Sequence, residues 1–368
     1  MMVFDSLMRN AAMQKLAQGA LMRMDAETAH RATINALRFG LVPGGEQLPS
    51  NLATTFCGLD LPSPIGMAAG FDKNGEAFSA LARMGFGFVE VGTVTPRPQS
   101  GNPTPRVFRI PEVMGVVNRL GFNNEGHQAA AERLKRRAPG QVVGVNIGAN
   151  KDSDDFVADY VAGVVTFSPL ADYLTANISS PNTPGLRNLQ AEDALKRLLG
   201  ALVETRSAQP RQTPILLKIA PDLDEGEMDS IARTVLDSGI DGLIVSNTTI
   251  SRDAVAGLTN SEQAGGLSGK PLFALSTRRL AQMRQRLGPD FPLVGVGGIH
   301  SAQSAIAKLE AGANIVQLYS ALVYGGMEMI NTINAGLSQA VSQRGLTSVA
   351  GLTGSAVADW AEGRGEIA

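Results

Sequence analysis

The chain has 368 residues at 38.5 kDa, enough for one α/β barrel of about 250 residues with an appendage, or for two or so ordinary domains. A hydrophobic share of 44%, a charged share of 18% and a net charge of −2 exclude a disordered chain and offer no basic field for nucleic acid. The 41 glycines, about 11% of residues against an average of about 7%, follow no three-residue period, which excludes collagen and points to tight turns and close backbone approaches.

Residues 1–45 read as a separate helical unit. Phe4, Leu7, Met8 and Ala11 follow the spacing of one helix face, and Asp25 is the expected N-cap of a second helix running to Arg38. Over residues 1–40, five basic and three acidic side chains give +2, whereas the remainder of the chain carries −4. An apolar face with local positive charge fits a monotopic membrane contact; a helical hairpin packed on the main body is the alternative. The longest uncharged run, Ala311 to Met327, holds too many polar residues and glycines for a membrane span, and no cleavable signal peptide is evident.

Residues 46–340 read as the main domain, and between Ser63 and Ser320 they follow one grammar, short apolar runs alternating with helical spacing. The runs are Pro64–Ala69, Phe86–Thr93, Val142–Gly148, Tyr173–Ser179, Pro214–Ala220, Gly242–Asn247, Pro292–Gly297 and Asn314–Tyr319. Eight such strands predict a (β/α)8 TIM barrel, with an open doubly wound sheet as the alternative. Asn331–Ser342 reads as a closing helix, and residues 341–368 as a tail whose end is poorly ordered, with Trp360 a local packing anchor.

In a barrel, the residues that follow each strand share one rim. That rim would gather Lys73, Thr93, Asn146, Asn177 with Ser180, Lys218, Asn247 with Thr248, Gly297 with Gly298, and Tyr319 with Ser320. The set is rich in amides and hydroxyls, carries two lysines and is poor in acids, which suits a planar polar ligand and an anion. Gly295-Val296-Gly297-Gly298-Ile299 after the seventh strand, with a helix opening near Ser301, is placed to bind phosphate, and Gly265 to Gly269 adds a second glycine loop. Two prolines and a glycine make Asn177 to Gly185 a rigid loop presenting Asn177, Ser180 and Asn182. His30, His127 and His300 lie far apart and Cys57 is alone, so neither a metal site nor an intramolecular disulfide is expected, and a reducing compartment fits.

Ala68 to Gly75, Gly92 to Pro96, Gly101 to Pro103 with Pro105-Arg106, Asn118 to Asn124, Asn177 to Arg187, Leu217 to Asp222, Gly266 to Gly269 and Val296 to Ile299 occur in a telling order. In these strings the chain resembles the class 2, quinone-dependent dihydroorotate dehydrogenases over nearly its whole length. The resemblance implies oxidation of (S)-dihydroorotate to orotate in pyrimidine synthesis, with hydride passing to one FMN per chain and electrons then to a membrane quinone. By the match, Ala69, Gly70, Thr93, Asn146, Asn177, Lys218, Ser246, Gly269, Gly298, Tyr319 and Ser320 hold the flavin. Lys73, Asn118, Arg119, Leu120, Gly121, Phe122, Asn177, Asn182, Asn247 and Thr248 meet the substrate.

Ser180 stands at the position of the base, with Thr183 and Phe122 in the proton relay. Class 1 members carry cysteine there, and Cys57 precedes the first barrel strand. His30, Arg109 and Tyr319 match the quinone tunnel, although a packed or capping histidine also explains His30. The family often has Asp-Pro-Glu where this chain has Asp25-Ala26-Glu27, which softens the helix start without displacing it. The implied protein is a peripheral monomer on the cytoplasmic side of the cell membrane, docked through residues 1–45 and binding no nucleic acid. Alternatives are a soluble FMN enzyme acting on another pyrimidine and a non-catalytic phosphate-binding barrel.

Overall fold

The computed structural model describes residues 11–41 and 45–367, so Phe4, Leu7 and Met8 of the expected first helix face lie outside the described residues. Helix α1 (Ala11–Arg23) is followed by α2 (Ala26–Arg38), which starts where expected because Asp25 accepts the Thr28 amide at 2.9 Å and its hydroxyl at 3.0 Å. A hairpin of β1 (Thr54–Phe56) and β2 (Leu59–Leu61) leads into the barrel. Next come β3 (Ile65–Met67), α3 (Phe78–Arg83) and β4 (Phe88–Val94), then the excursion β5 (Val107–Ile110) and β6 (Gly115–Asn118). Helix α4 (Gly126–Leu134), β7 (Val143–Ile147), α5 (Phe156–Phe167), β8 (Tyr173–Asn177), α6 (Glu192–Ser207), β9 (Ile215–Ile219) and α7 (Glu225–Ser238) continue the alternation. The chain completes it with β10 (Gly242–Val245), β11 (Gly266–Gly269), α8 (Phe273–Leu287), β12 (Leu293–Val296), α9 (Ala302–Glu310), β13 (Ile315–Leu318), α10 (Ala321–Gly325), α11 (Met329–Gln343) and α12 (Val357–Ala361).

All eight expected runs are parallel strands of one closed barrel, β3, β4, β7, β8, β9, β10, β12 and β13 in chain order. Pairing of Val316 with Ile65 closes the ring and removes the open-sheet alternative. Outward strand residues such as Val89, Val145 and Leu174 are buried beneath the helices, whereas inward residues build layers. The lowest layer is apolar: Phe88, Tyr173, Leu216, Ile244, Val294 and Ile315 fill the bore, and Phe56 and Leu61 of the hairpin join the same cluster. Two glycines make room for its rings. A Cβ on Gly66 would stand 2.2 Å from the Phe88 ring, and one on Gly144 would stand 2.1 Å from that of Tyr173.

Two expectations need correction. Gly265 to Gly269 is less a loop than a strand: β11 pairs antiparallel with β6, which pairs antiparallel with β5. Its glycines serve close approach, since a Cβ on Gly266 would meet Thr248 Oγ1 at 1.9 Å and one on Gly269 would meet the Met114 carbonyl at 2.2 Å. The tail is ordered as well. Val349 and Leu352 are buried, and Trp360 packs edge-on against Phe273 of α8 at 5.8 Å, so burial of apolar side chains fixes a segment whose Ala, Gly and Ser content suggested disorder.

Candidate active site

The site begins inside the barrel. Glu90 of β4 is fully buried one layer above the aromatic plug, and its carboxylate accepts from Asn146 Nδ2 at 2.7 Å, Gln317 Nε2 at 2.7 Å and the Tyr173 hydroxyl at 3.0 Å. Burial and the adjacent Glu90 charge hold the Tyr173 phenol well above its ordinary pKa, so it remains a donor. From Asn146 the bonding climbs: Thr93 Oγ1 donates to Asn146 Oδ1, Asn177 Nδ2 donates to Thr93 Oγ1 at 2.9 Å, and Asn247 Nδ2 donates to Asn177 Oδ1 at 3.2 Å and Ser179 Oγ at 3.1 Å. Asn146 thus supports Thr93 from behind, without itself lining the cavity above.

Ser180 follows β8 in a loop held from several sides. Arg187 donates to the carbonyls of Ser179 and Thr248 and pairs with Asp222 at 3.0 Å, tying the loops after β8 and β10 together. Asn182 donates to the Asn118 carbonyl at 3.2 Å and accepts from Asn102 at 3.2 Å. Ser180 is buried, and its Oγ accepts the Asn182 amide at 3.2 Å. Nearby in sequence, the Thr183 hydroxyl is buried with no partner among the described residues.

Two ammonium groups reach the same cavity. Lys218 rises from β9 and Lys73 follows β3, and neither hydrogen-bonds a protein acceptor among the described residues. Burial lowers the Lys218 pKa against the opposing pull of Glu90, and burial lowers that of Lys73 to about 8. At the far side lie Gly298, Ile299, Ser320 and Ala321, whose backbone N–H groups have no protein acceptor among the described residues. The Ser320 and Ser268 hydroxyls meet at 2.8 Å beside them.

The cavity continues upward between the barrel and the N-terminal helices. Leu21, Met22, Ala29, Val107, Leu322 and Met327 make its upper wall apolar. His30 stands edge-on to Phe71 at 5.2 Å and 6.1 Å from the Tyr319 ring; burial first, and then the Lys73 charge, push its pKa down to about 3, so it is neutral. Arg109 donates to the carbonyls of Leu21, Met22 and Met24, capping the end of α1. Gln18 donates to the Val323 carbonyl, closing the same wall.

Most residues named from the sequence therefore meet in one cavity: Ala69, Gly70, Lys73, Thr93, Asn118, Leu120, Gly121, Phe122, Asn177, Ser180, Asn182, Lys218, Ser246, Asn247, Thr248, Gly269, Gly298, Tyr319 and Ser320, with His30 and Arg109 above. Arg119 does not line it. Its guanidinium turns away to Gln263 at 2.9 Å and the Pro105 carbonyl at 2.9 Å, stacked 4.5 Å over Phe108, because those partners satisfy it outside the cavity.

A dihydroorotate dehydrogenase family model matches residues 51–341. The chain belongs to the dihydroorotate dehydrogenase family. A Brucella anthropi protein named dihydroorotate dehydrogenase (quinone) is 52% identical over 353 residues, covering 95% of this chain and 97% of that protein, and a Brucella melitensis protein of the same name is 53% identical with the same coverage. The ligand-free Eimeria tenella dihydroorotate dehydrogenase structure superposes with a TM-score of 0.86 at 37% identity, covering 90% of this chain and 99% of that one. The Eimeria tenella enzyme in complex with ferulenol gives 0.85 at 36% identity, covering 89% and 95%. Within the family, these relatives place the chain in the quinone-dependent class.

Sequence reasoning missed Glu90, Gln317, Tyr173 and Arg187 as parts of the dehydrogenase site. Only Glu90 left a signal: a lone carboxylate in the apolar run Phe88 to Val91 can be tolerated only if it is fully bonded. Replacing it strands three buried donors. Glu90→Leu is expected to lower stability by about 3 kcal/mol in urea unfolding. An unchanged midpoint would refute the supporting role given to this network.

Proposed function

We propose that the protein oxidises (S)-dihydroorotate to orotate with FMN and passes the electrons to a membrane quinone. The observation that carries this reading is the convergence, in one cavity, of Ser180, Lys73 and four asparagines at one end with four unpaired amides at the other. The donor set suits FMN. The N–H groups of Gly298, Ile299, Ser320 and Ala321 match a phosphate, and Lys218 brings a cation into the bore. Bound there, FMN supplies the hydride acceptor, which no side chain of the chain can replace.

The chain's own residues account for the rest. Lys73 pairs with the carboxylate of dihydroorotate, and Asn118, Asn177, Asn182 and Asn247 match the donor and acceptor edges of its ring. Ser180 Oγ takes the proton alpha to the ring carbonyl as hydride leaves the neighbouring carbon. As the hydroxyl proton of Ser180 itself leaves, the Asn182 amide, donating to Ser180 Oγ, steadies the negative charge that makes this oxygen a base, and the substrate proton then neutralises it. A serine hydroxyl is a weak base, so its proton must move on, and the unpartnered Thr183 hydroxyl, with Phe122 beside the site, supports a relay. Lys218 stabilises negative charge gained on the isoalloxazine side of the cavity.

For the quinone, the apolar upper cavity and the neutral His30 beside Tyr319 support a tunnel beneath α1 and α2. Arg109 serves this wall by capping α1. Four of the exposed large apolar side chains, Leu16, Met24, Phe39 and Leu41, lie on or just after these two helices, which supports peripheral docking of this unit on a membrane surface. No helix among the described residues is long and apolar enough to cross a bilayer.

Three measurements test this. Ser180→Ala should slow flavin reduction by dihydroorotate at least about 100-fold while the protein stays yellow; stopped-flow traces near the wild-type rate would sink the base assignment. Lys73 has a pKa of about 8 that pairing with a carboxylate would raise. Orotate binding should therefore be strongest below that value, weaken as pH rises through it, and take up a proton near it. Calorimetry at about pH 7 and about pH 9 in buffers of different ionisation heat reads both effects, and a flat profile refutes the pairing. Finally, converting Leu16 and Phe39 to glutamate should release the protein from liposomes without changing flavin reduction. Undiminished liposome binding would overturn the docking face.

A further inference from the structure

Lys308 of α9 is completely buried yet does not line the cavity. Its stem passes Gly295, where a Cβ would stand 3.2 Å from Lys308 Cγ, and its ammonium donates to Ser276 Oγ at 2.7 Å and Thr277 Oγ1 at 2.8 Å, 5.0 Å from the centre of the Phe273 ring. No carboxylate faces it among the described residues, and burial pushes its pKa well below the ordinary lysine value. An aliphatic side chain would fill this space without the desolvation cost, so packing alone does not account for an ammonium here.

The hydroxyls give the charge a direction. Ser276 Oγ has two carbonyls in reach, Gly297 at 3.1 Å and Phe273 at 3.2 Å; the Phe273 carbonyl also takes the Thr277 hydroxyl at 2.6 Å, whereas the Gly297 carbonyl has no other donor among the described residues, so the single Ser276 proton is assigned to Gly297. In a trans peptide the C=O and N–H point opposite ways, so drawing the Gly297 carbonyl onto α8 turns the Gly298 N–H away from α8. That N–H is one of the four unpaired amides. The backbone can hold this pose because Gly297 and Gly298 adopt φ of 112° and 77°, and there is no room for side chains: a Cβ on Gly297 would meet Ser276 Oγ at 2.7 Å, and one on Gly298 would meet Phe273 Cα at 2.4 Å.

We infer that Lys308 is a positioning residue for the cofactor phosphate, acting through Ser276 and the Gly297–Gly298 peptide to aim and polarise the amide that meets the phosphate. Each bond in such a chain strengthens the next, and a buried cation at its head adds long-range attraction for a phosphate in a medium that screens little. The inference rests on the FMN reading of the cavity.

The test exploits riboflavin, which has the same ring system but no phosphate. Holoprotein is equilibrated with a mixture of FMN and riboflavin, and the bound flavins are separated and quantified. Lys308→Met, which keeps the stem and removes the charge, should lower the preference for FMN over riboflavin about tenfold or more, and Ser276→Ala should lower it in the same sense. A merely structural role would weaken both flavins alike, so an unchanged preference in the folded variants overturns the inference whatever happens to Tm. Should Lys308→Met fail to fold, Ser276→Ala alone decides by the same ratio. Wild-type protein that retains neither flavin overturns the cofactor reading itself, and the inference with it.

Discussion

One buried carboxylate constrains the site from below. Glu90 sits where no water is available to share its charge, so its oxygens must be met by protein donors, and Asn146, Gln317 and Tyr173 meet them. That choice propagates. With its NH2 group spent on Glu90, Asn146 has its oxygen left for Thr93; with its proton spent on Asn146, Thr93 can only accept from Asn177; with its NH2 group on Thr93, Asn177 turns its oxygen to Asn247. The polarity of every amide from the bore to the rim is thereby set. A preformed pattern of donors and acceptors is what a rigid heterocyclic ligand requires, and here it follows from the charge of a residue that does not line the cavity.

A second set of charges holds the N-terminal helices over that pattern. Arg106 pairs with Glu27, Arg31 makes two bonds to Glu76, and Arg109 caps α1. Two basic residues that gave the N-terminal segment its positive balance, Arg31 and Arg38, thus face Glu76 on the barrel. Beside these half-exposed arginines the unit also leaves apolar side chains to its surroundings, with Leu16 69% and Phe39 70% exposed. The two readings of this segment as packed hairpin and as membrane contact are therefore compatible: one face of α2 buries Ala29, Ile34 and Leu37, while other side chains remain open.

How legible this was in the sequence depended on whether a signal was local. The barrel strands were legible because strands covered on both faces read as continuous apolar runs, and Asp25 and Ser301 marked helix starts by cap chemistry alone. The small sheet of β5, β6 and β11 was not, since strands of only four residues, two of them with glycine at an end, carry little pattern until their partner is known. The order of the tail was equally hidden, because it comes from Trp360 meeting Phe273, a contact across 87 positions of chain. Within the site, family motifs located the residues that face the cavity. Those that support them, Glu90 and Arg187 above all, gain their meaning only from partners on other strands, and Arg119 sat in a matching motif although its side chain bonds elsewhere.

The same logic explains why the carboxyl end of the barrel concentrates donor groups that find no protein acceptor among the described residues. Lys73 and Lys218 lose solvation without gaining an acceptor among the described residues, and the amides of Gly298, Ile299, Ser320 and Ala321 add further donors that are unpaired among them. Such groups lower the stability of the fold and would be eliminated by a better hydrophobic core. Their common feature is sign: all are positive or donate hydrogen, and they surround one cavity. A folded chain that concentrates unmet positive potential in this way binds anions by recovering its own desolvation cost, and it does so without reorganising, because Glu90 below and the arginines above have already fixed the frame.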